Sequence, residues 1–402
     1  MKLTYVIVTH NRHARLLQTL RLLPDVTPLP DSEWDIHVVD NGSIDGTFEA
    51  LATLHLPINV TRRPKNEGVA ARNHGINEAR GEYVVLLDDD SYPTGNAIGD
   101  SLRWLDANLT CAAVAGRCVL PNGALEACAL PNVFLSGAVC ARADALRQVG
   151  GFRDEFFRKA GEYDVSFRLW LAGWRIDRFD DVLYRHDKIP TGRNPSLAHF
   201  MDVRNNLILA ERFLPHSLRA IYRADWLRRY SALAQHANCG HVVAEAIETS
   251  QRWAVAEAKR GRCTLPPHLM ERCFHFDEQC IAVRQWKQTH GVRRVLLADF
   301  GKNIYATFAA CRDNELKVAA IIDNHDAFAG MRYRSVAIRF DADVSTRDVD
   351  GIVLANISPA VCDSRAEQLQ QRFDLPVLKL WQPRWLHEQT ITPPRGAEAP
   401  VP

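Results

Sequence analysis

The run Tyr83-Val84-Val85-Leu86-Leu87, followed at once by Asp88-Asp89-Asp90, constrains the fold of this chain more than any other feature. Five apolar residues without alternation are the pattern of a parallel strand buried on both faces. Two earlier segments behave alike. Tyr5 to Thr9 reads as a strand that runs out into His10-Asn11-Arg12, and Ile36 to Val39 as one that ends in Asp40-Asn41-Gly42-Ser43, where Asn-Gly marks a turn. Leu16, Leu17, Leu20 and Leu23 have helical spacing across residues 12–23. Residues 68–79, 133–150 (a strand turning into a helix) and 162–172 continue the alternation. Strands alternating with helices predict an α/β layer fold on a mainly parallel sheet.

Residues 196–290 differ, being rich in Leu, Ala, Arg, Trp and His with few strand signals, and are expected to be helical. Strand pattern returns at Val295 to Ala298, Val318 to Ile322, Gly351 to Ala355 and Pro376 to Leu380, so a second, small α/β domain is expected. The 402 residues exceed one ordinary core. The expected division is a first α/β domain over 1–210, a helical connecting region over 211–290, a small Rossmann-like domain over 291–388 and a disordered tail over 389–402.

Lys plus Arg is 49 and Asp plus Glu 48, a net charge of +1. No global field points to nucleic acid, so anion binding must be local. No apolar run approaches the roughly 20 residues that span a bilayer, and the first ten residues lack the features of a signal peptide. A soluble, cytoplasmic protein is expected, with its ten cysteines as thiols.

Three polar clusters follow strands: residues 9–12, 40–43 and 88–90. In open parallel sheets ligands bind beyond the carboxyl ends of the strands, so all three can face one crevice. Asp40 is placed to accept from a base or ribose donor. Arg72 and the amides of residues 66–72 sit at a helix start, a natural phosphate site. Adjacent carboxylates repel, and a buried group of them needs a cation. Hard divalent ions favour such oxygen ligands and keep positions open for phosphate. The competing reading is a solvated acidic loop. Glu162 stands at a helix start, where the dipole favours negative charge, and is either a cap or a general base. Asp164 and Arg168 form an i,i+4 pair. His186 at a strand end reads, by itself, as structural.

Together these residues resemble the family 2 glycosyltransferases of the GT-A fold. The resemblance runs in order through residues 6–12, 38–43, 66–73, 86–90, 135–138, 149–152, 161–164 and His186, about the first 210 residues. It implies an inverting, metal-dependent hexosyltransferase, in which a sugar passes from a UDP-, GDP- or dTDP-linked donor to a glycan or lipid-linked acceptor in cell-surface polysaccharide synthesis. By the same resemblance, Thr9, Asn11 and Arg12 line the nucleotide pocket, Asp40 contacts the base, and Gly68, Arg72 and Asp89 lie on the donor side. Asp88 and Asp90 stand as the ends of the DxD motif that holds Mg²⁺ or Mn²⁺ on the donor diphosphate, with His186 approaching the same metal. Gly137 leaves room for the sugar. Glu162 takes the place of the catalytic carboxylate, where the family commonly has Asp.

Beyond residue 210, Phe213, Tyr222, Trp226 and Tyr230 alternate with Arg219, Arg223, Arg228 and Arg229. A basic amphipathic helix lying on the inner face of a membrane is one reading, and a helix packed on its own protein is the other. Cys263, His268, Cys273, His275 and Cys280 fit no standard zinc spacing. Ala298-Asp299-Phe300-Gly301-Lys302 precedes Asp323 in the Rossmann manner, but with one glycine where the fingerprint has three. The alternatives to a transferase are a sugar-1-phosphate nucleotidyltransferase, which needs a glycine-rich loop where Thr9-His10-Asn11-Arg12 has none, a non-catalytic nucleotide-sugar-binding protein, and an NAD-dependent role for the last domain.

Overall fold

The computed structural model describes residues 1–188 and 194–389. Of the tail expected over 389–402, all but its first residue lies outside the described residues. The chain divides into two compact units. The first gathers Met1–Ala127, residues 132–188 and residues 383–389. The second gathers Cys128–Pro131 and, among described residues, 194–382. The expected boundary at 210 therefore falls inside a helix, Pro195–Phe213, which belongs to the second unit. The regions read as 211–290 and 291–388 share that unit up to residue 382.

The first unit carries one sheet of nine strands: β1 (Leu3–Thr9), β2 (Trp34–Asp40), β3 (Ile58–Arg62), β4 (Tyr83–Asp88), β5 (Ser91–Pro93), β6 (Cys111–Val119), β7 (Leu125–Glu126), β8 (Val139–Arg142) and β9 (Arg175–His186). Their order is β3-β2-β1-β4-β8-β6-β9-β5, with β7 on β6. The β3-β2-β1-β4 half is parallel. β2, β1 and β4 are largely apolar runs buried on both faces, while β3, Ile-Asn-Val-Thr-Arg, is a half-exposed strand at the end of the order. Every residue of β2 is buried, as are five of six in β4. Beyond β4 the sheet is mixed rather than mainly parallel: β8 is antiparallel to both β4 and β6, β9 is parallel to β6, and β5 is antiparallel to β9. The helix His13–Val26 lays Leu16, Leu20 and Leu23 on the core.

Residues 383–389 complete this unit from the far end of the chain. The Arg384 amide donates to Asp180 Oδ2 at 2.9 Å and the Leu386 amide to Asp181 Oδ1 at 2.7 Å. The Arg384 guanidinium lies 4.9 Å from the centre of the Phe179 ring. Leu386 is 4% exposed within the main core, a burial that contributes roughly 1.5–3 kcal/mol.

The second unit begins with five helices, Pro195–Phe213, His216–His236, Val243–Arg260, Pro267–Phe274 and Phe276–His290. The first is capped by Asn194, whose side chain accepts the Leu197 amide at 3.0 Å. Its sheet comprises β10 (Arg294–Ala298), β11 (Lys317–Asp323), β12 (Arg332–Tyr333), β13 (Val336–Phe340), β14 (Gly351–Leu354) and β15 (Val377–Lys379), in the order β12-β13-β11-β10-β14-β15. All but the β12–β13 pair are parallel. Tyr222 and Trp226 are buried, Trp226 donating its indole N–H to the Lys302 carbonyl at 3.0 Å. The aromatic face that a membrane-lying helix would present is thus turned inward, and Arg228 and Arg229 bond the carbonyls of Arg332 and Phe300. Among the described residues, no helix is long and apolar enough to cross a membrane.

Candidate functional site

The register of the parallel strands brings all three polar clusters to the carboxyl ends of neighbouring strands. Thr9 stands opposite Asp40 across β1 and β2, and Val8 opposite Asp88 across β1 and β4. The third element comes from a distant strand. β5 leaves the aspartate turn directly and pairs with the end of β9, setting Ser91 opposite His186, while the Asp187 amide donates to the Asp90 carbonyl at 2.8 Å. His186 Nε2 consequently lies 3.2 Å from Asp90 Oδ1. Asp88, Asp90 and His186 each offer one ligand atom, and the three atoms lie within 4.8 Å of one another. Two hard carboxylate oxygens suit Mg²⁺ or Mn²⁺, and the imidazole nitrogen favours Mn²⁺ of the two.

The middle carboxylate turns the other way. Asp89 is buried, accepts from Thr9 Oγ1 at 2.9 Å and from Arg12 at 2.5 Å, and its carbonyl receives Thr19 Oγ1 at 2.8 Å. It anchors the loop after β1 and is not one of the three converging groups. Burial pushes its carboxyl up to about 7, with Arg12 opposing. Asp90 is also buried, but hydrogen bonds from His186 and Arg12 outweigh that and hold it well below the usual carboxylate range. Burial would lower His186, yet its hydrogen bonds with Asp90, Cys118 and Glu126 push it up to about 12.

Asp88 is the open member, its side chain 40% exposed. Arg72, buried at the start of its helix, reaches it with one guanidinium nitrogen, and Arg72 Nε has no hydrogen-bond partner. On the other side stands Gly137, where a Cβ would come within 2.9 Å of Asp88 Oδ2. Any side chain there would crowd the carboxylate. The preceding residue, Ser136, donates Oγ–H to Glu162 Oε1 at 2.9 Å. Residues 136 and 137 thus separate the aspartate pair from Glu162, which sits in the first turn of the helix Gly161–Leu171.

Three of the expected residues are fixed by contacts with surrounding loops. Asp40 is fully buried, one oxygen accepting the Ser43 amide at 2.9 Å and the other without a hydrogen-bond partner. Asn11 adopts φ +54°, a conformation Asn tolerates, and its side chain accepts the Ile44 amide. Gly68, at φ +62°, lies so close to Phe157 that a Cβ would meet its carbonyl oxygen at 2.2 Å. Glu126 carried no motif, yet it accepts from His186 Nδ1 at 2.8 Å and from Lys188 Nζ at 2.6 Å. This contact aims Nε2 at Asp90, the usual outer-shell support of a metal-facing imidazole. The only sequence signal was an acid on a two-residue hairpin strand, β7.

A parallel α/β half whose strand ends gather an Asp-x-Asp pair beside a histidine defines a GT-A domain. Residues 4–124 match the model of Glycosyl transferase family 2, and the chain carries a glycosyltransferase family 2 domain at its N-terminus. It is similar to the uncharacterized glycosyltransferase YwdF of Bacillus subtilis, 41% identical over 96 residues, 23% of this chain and 34% of that protein. It is also similar to the poly(ribitol-phosphate) beta-N-acetylglucosaminyltransferase TarS of Staphylococcus aureus, 26% identical over 217 residues, 50% of this chain and 38% of TarS. The chain thus spans little more than a third of either relative. A crystal structure of S. aureus TarS 1-349 in complex with UDP-GlcNAc aligns at 16% identity and a TM-score of 0.49, covering 79% of this chain and 93% of that one.

Proposed function

We propose that this protein is an inverting, metal-dependent glycosyltransferase that carries a sugar from a nucleotide-sugar donor to an acceptor hydroxyl in cell-surface polysaccharide synthesis. The observation that carries the reading is the convergence of Asp88, Asp90 and His186 at the strand ends, with Glu162 held across Gly137 by Ser136. Asp90, Asp88 and His186 would hold the metal. When bound, such an ion neutralises charge on the leaving diphosphate.

The protein's own groups do the rest. Thr9, Asn11, Arg12 and Asp40 border the nucleotide, and Arg12 fixes the carboxylates of Asp89 and Asp90 through two hydrogen bonds. Arg72 and Gly68 border the donor phosphates, and Gly137 leaves the sugar its space beside Asp88. Glu162 takes the acceptor's proton while the acceptor oxygen bonds to the anomeric carbon and the bond to the diphosphate breaks, one displacement with inversion. The donor is UDP-, GDP- or dTDP-linked. The acceptor is a glycan or lipid-linked chain, and the name of the relative TarS supports a phosphate-rich polymer. The test is a thermal-shift series of nucleoside diphosphates with and without Mn²⁺, paired with donor turnover. A Mn²⁺-dependent rise in melting temperature for one nucleotide, and loss of turnover in Asp90→Asn, are expected. Nucleotide binding without turnover in the unaltered protein would favour a non-catalytic binder instead.

A further inference from the structure

A cavity of about 440 Å³ opens between the end of the helix Pro195–Phe213 and the start of the helix His216–His236. His216, Arg219, Ala220, Arg223 and Leu227 follow one face of the second helix, and Glu211 comes from the first. Arg223 Nε stands 3.3 Å from one Glu211 oxygen. Arg262 and Arg219 stand 3.5 and 3.9 Å from the other. Three guanidinium groups thus share a single carboxylate, an excess of two positive charges before His216 is counted. The excess is uncomfortable: Arg219 is held below its ordinary basicity by burial and by Arg262. Arg223 Nε is shut off from solvent and has no hydrogen-bond partner. The helix start adds its positive dipole end.

We propose that this cavity binds a phosphate group of the acceptor, a subsite that rests on the transferase reading above. Arg219 gives Nε and Nη2 to the Leu214 carbonyl at 3.2 and 3.0 Å, leaving Nη1 for a ligand. With Arg223 and Arg262 it offers guanidinium N–H groups that match the oxygens of a phosphate, and two surplus charges suit a phosphomonoester or two successive phosphodiesters. The cavity is far larger than a single ion needs. Its apolar stretch of Ala220, Ala224 and Leu227 suits the carbon backbone between phosphates. A concave pocket takes a discrete chain segment, whereas a membrane surface requires a convex face with outward aromatics, and here those aromatics are buried.

The test is calorimetric titration of the full chain, in EDTA, with pyrophosphate, with a short glycerol-phosphate oligomer and with phosphatidylglycerol vesicles. The oligomer is expected to bind in a salt-sensitive way, to weaken by about tenfold or more in Arg219→Gln/Arg223→Gln, and to tighten several-fold in Glu211→Gln, where the competing carboxylate is removed. Structural damage cannot produce that last sign. The proposal is overturned if the unaltered protein ignores the oligomer, if Glu211→Gln fails to tighten it, if the folded double variant binds it unchanged, or if only vesicles bind. Arginine-dependent oligomer binding beside a total lack of nucleotide binding with Mn²⁺ would overturn the transferase reading and not the phosphate site.

Discussion

Both units end parallel strands in carboxylates, yet only one leaves a carboxylate open. In the second unit Arg365 clamps Asp341 with two nitrogens at 2.6 and 2.9 Å and Asp299 with a third at 2.8 Å. The two oxygens of Asp323 accept the Phe300 and His325 amides. Asp323 ends β11 where a ribose-binding acid would stand in a dinucleotide-binding domain, but its lone pairs are engaged by its own loops. In the first unit no single arginine neutralises the cluster. Arg12 joins Asp89 to Asp90, but Asp88 lies outside that clamp: Arg72 reaches it with one nitrogen, a histidine faces Asp90, and the Asp88 side chain stays 40% exposed. A strand-end acid therefore signals a ligand site when its compensation is divided among groups that can rearrange, and a structural joint when one fork saturates it.

Substitutions can break this contrast. The largest effect is expected from Glu162→Gln, which should lower kcat by about 10²–10⁴ with donor binding kept, measured by product release under saturating donor. Asp323→Asn should leave kcat unchanged, and an equal loss in both would erase the distinction. Next, Arg365→Leu strands two buried carboxylates and should cost about 3–5 kcal/mol, read by urea unfolding as a loss confined to the second unit. Glu126→Gln, which releases His186 Nδ1, should weaken Mn²⁺ binding by about 10–100-fold. Taken per pH unit, the smallest effect is that of pH. His186 lies at about 12, above its ordinary 6.5, so its charged pair contributes stability that is complete below 6.5 and is lost as pH climbs toward 12. Coordination needs the neutral ring, so Mn²⁺ affinity should rise by up to about tenfold per pH unit between pH 6 and 8. A flat profile would mean that His186 is not a ligand.

Three strands of the parallel half of the first sheet, β1, β2 and β4, were legible because they are apolar runs that stop at polar clusters, whereas β3, Ile-Asn-Val-Thr-Arg with no buried residue, carried no such signal. The mixed half was not. β6 is Cys-Ala-Ala-Val-Ala-Gly-Arg-Cys-Val, rich in small residues, and β9 carries Asp177, Arg178 and Asp180 inside the protein. Arg178 is tolerated there because it bonds the carbonyls of Gly116 and Val133 at 2.8 and 3.1 Å, pairings that no local pattern announces. The same holds for Glu126, whose partner is 60 residues away. Of the aspartate triplet, the sequence could not tell that the middle member faces inward, since that depends on where Thr9 and Arg12 come to rest.

The return of residues 383–389 to the first unit bears on how the protein is made. During synthesis the strands of the first unit emerge first, yet the segment that covers Phe179 and supplies Leu386 leaves the ribosome only after the whole second unit. The first-born half must wait, partly uncovered, for this later stretch, and a fragment cut at residue 210 would be left in that unfinished state.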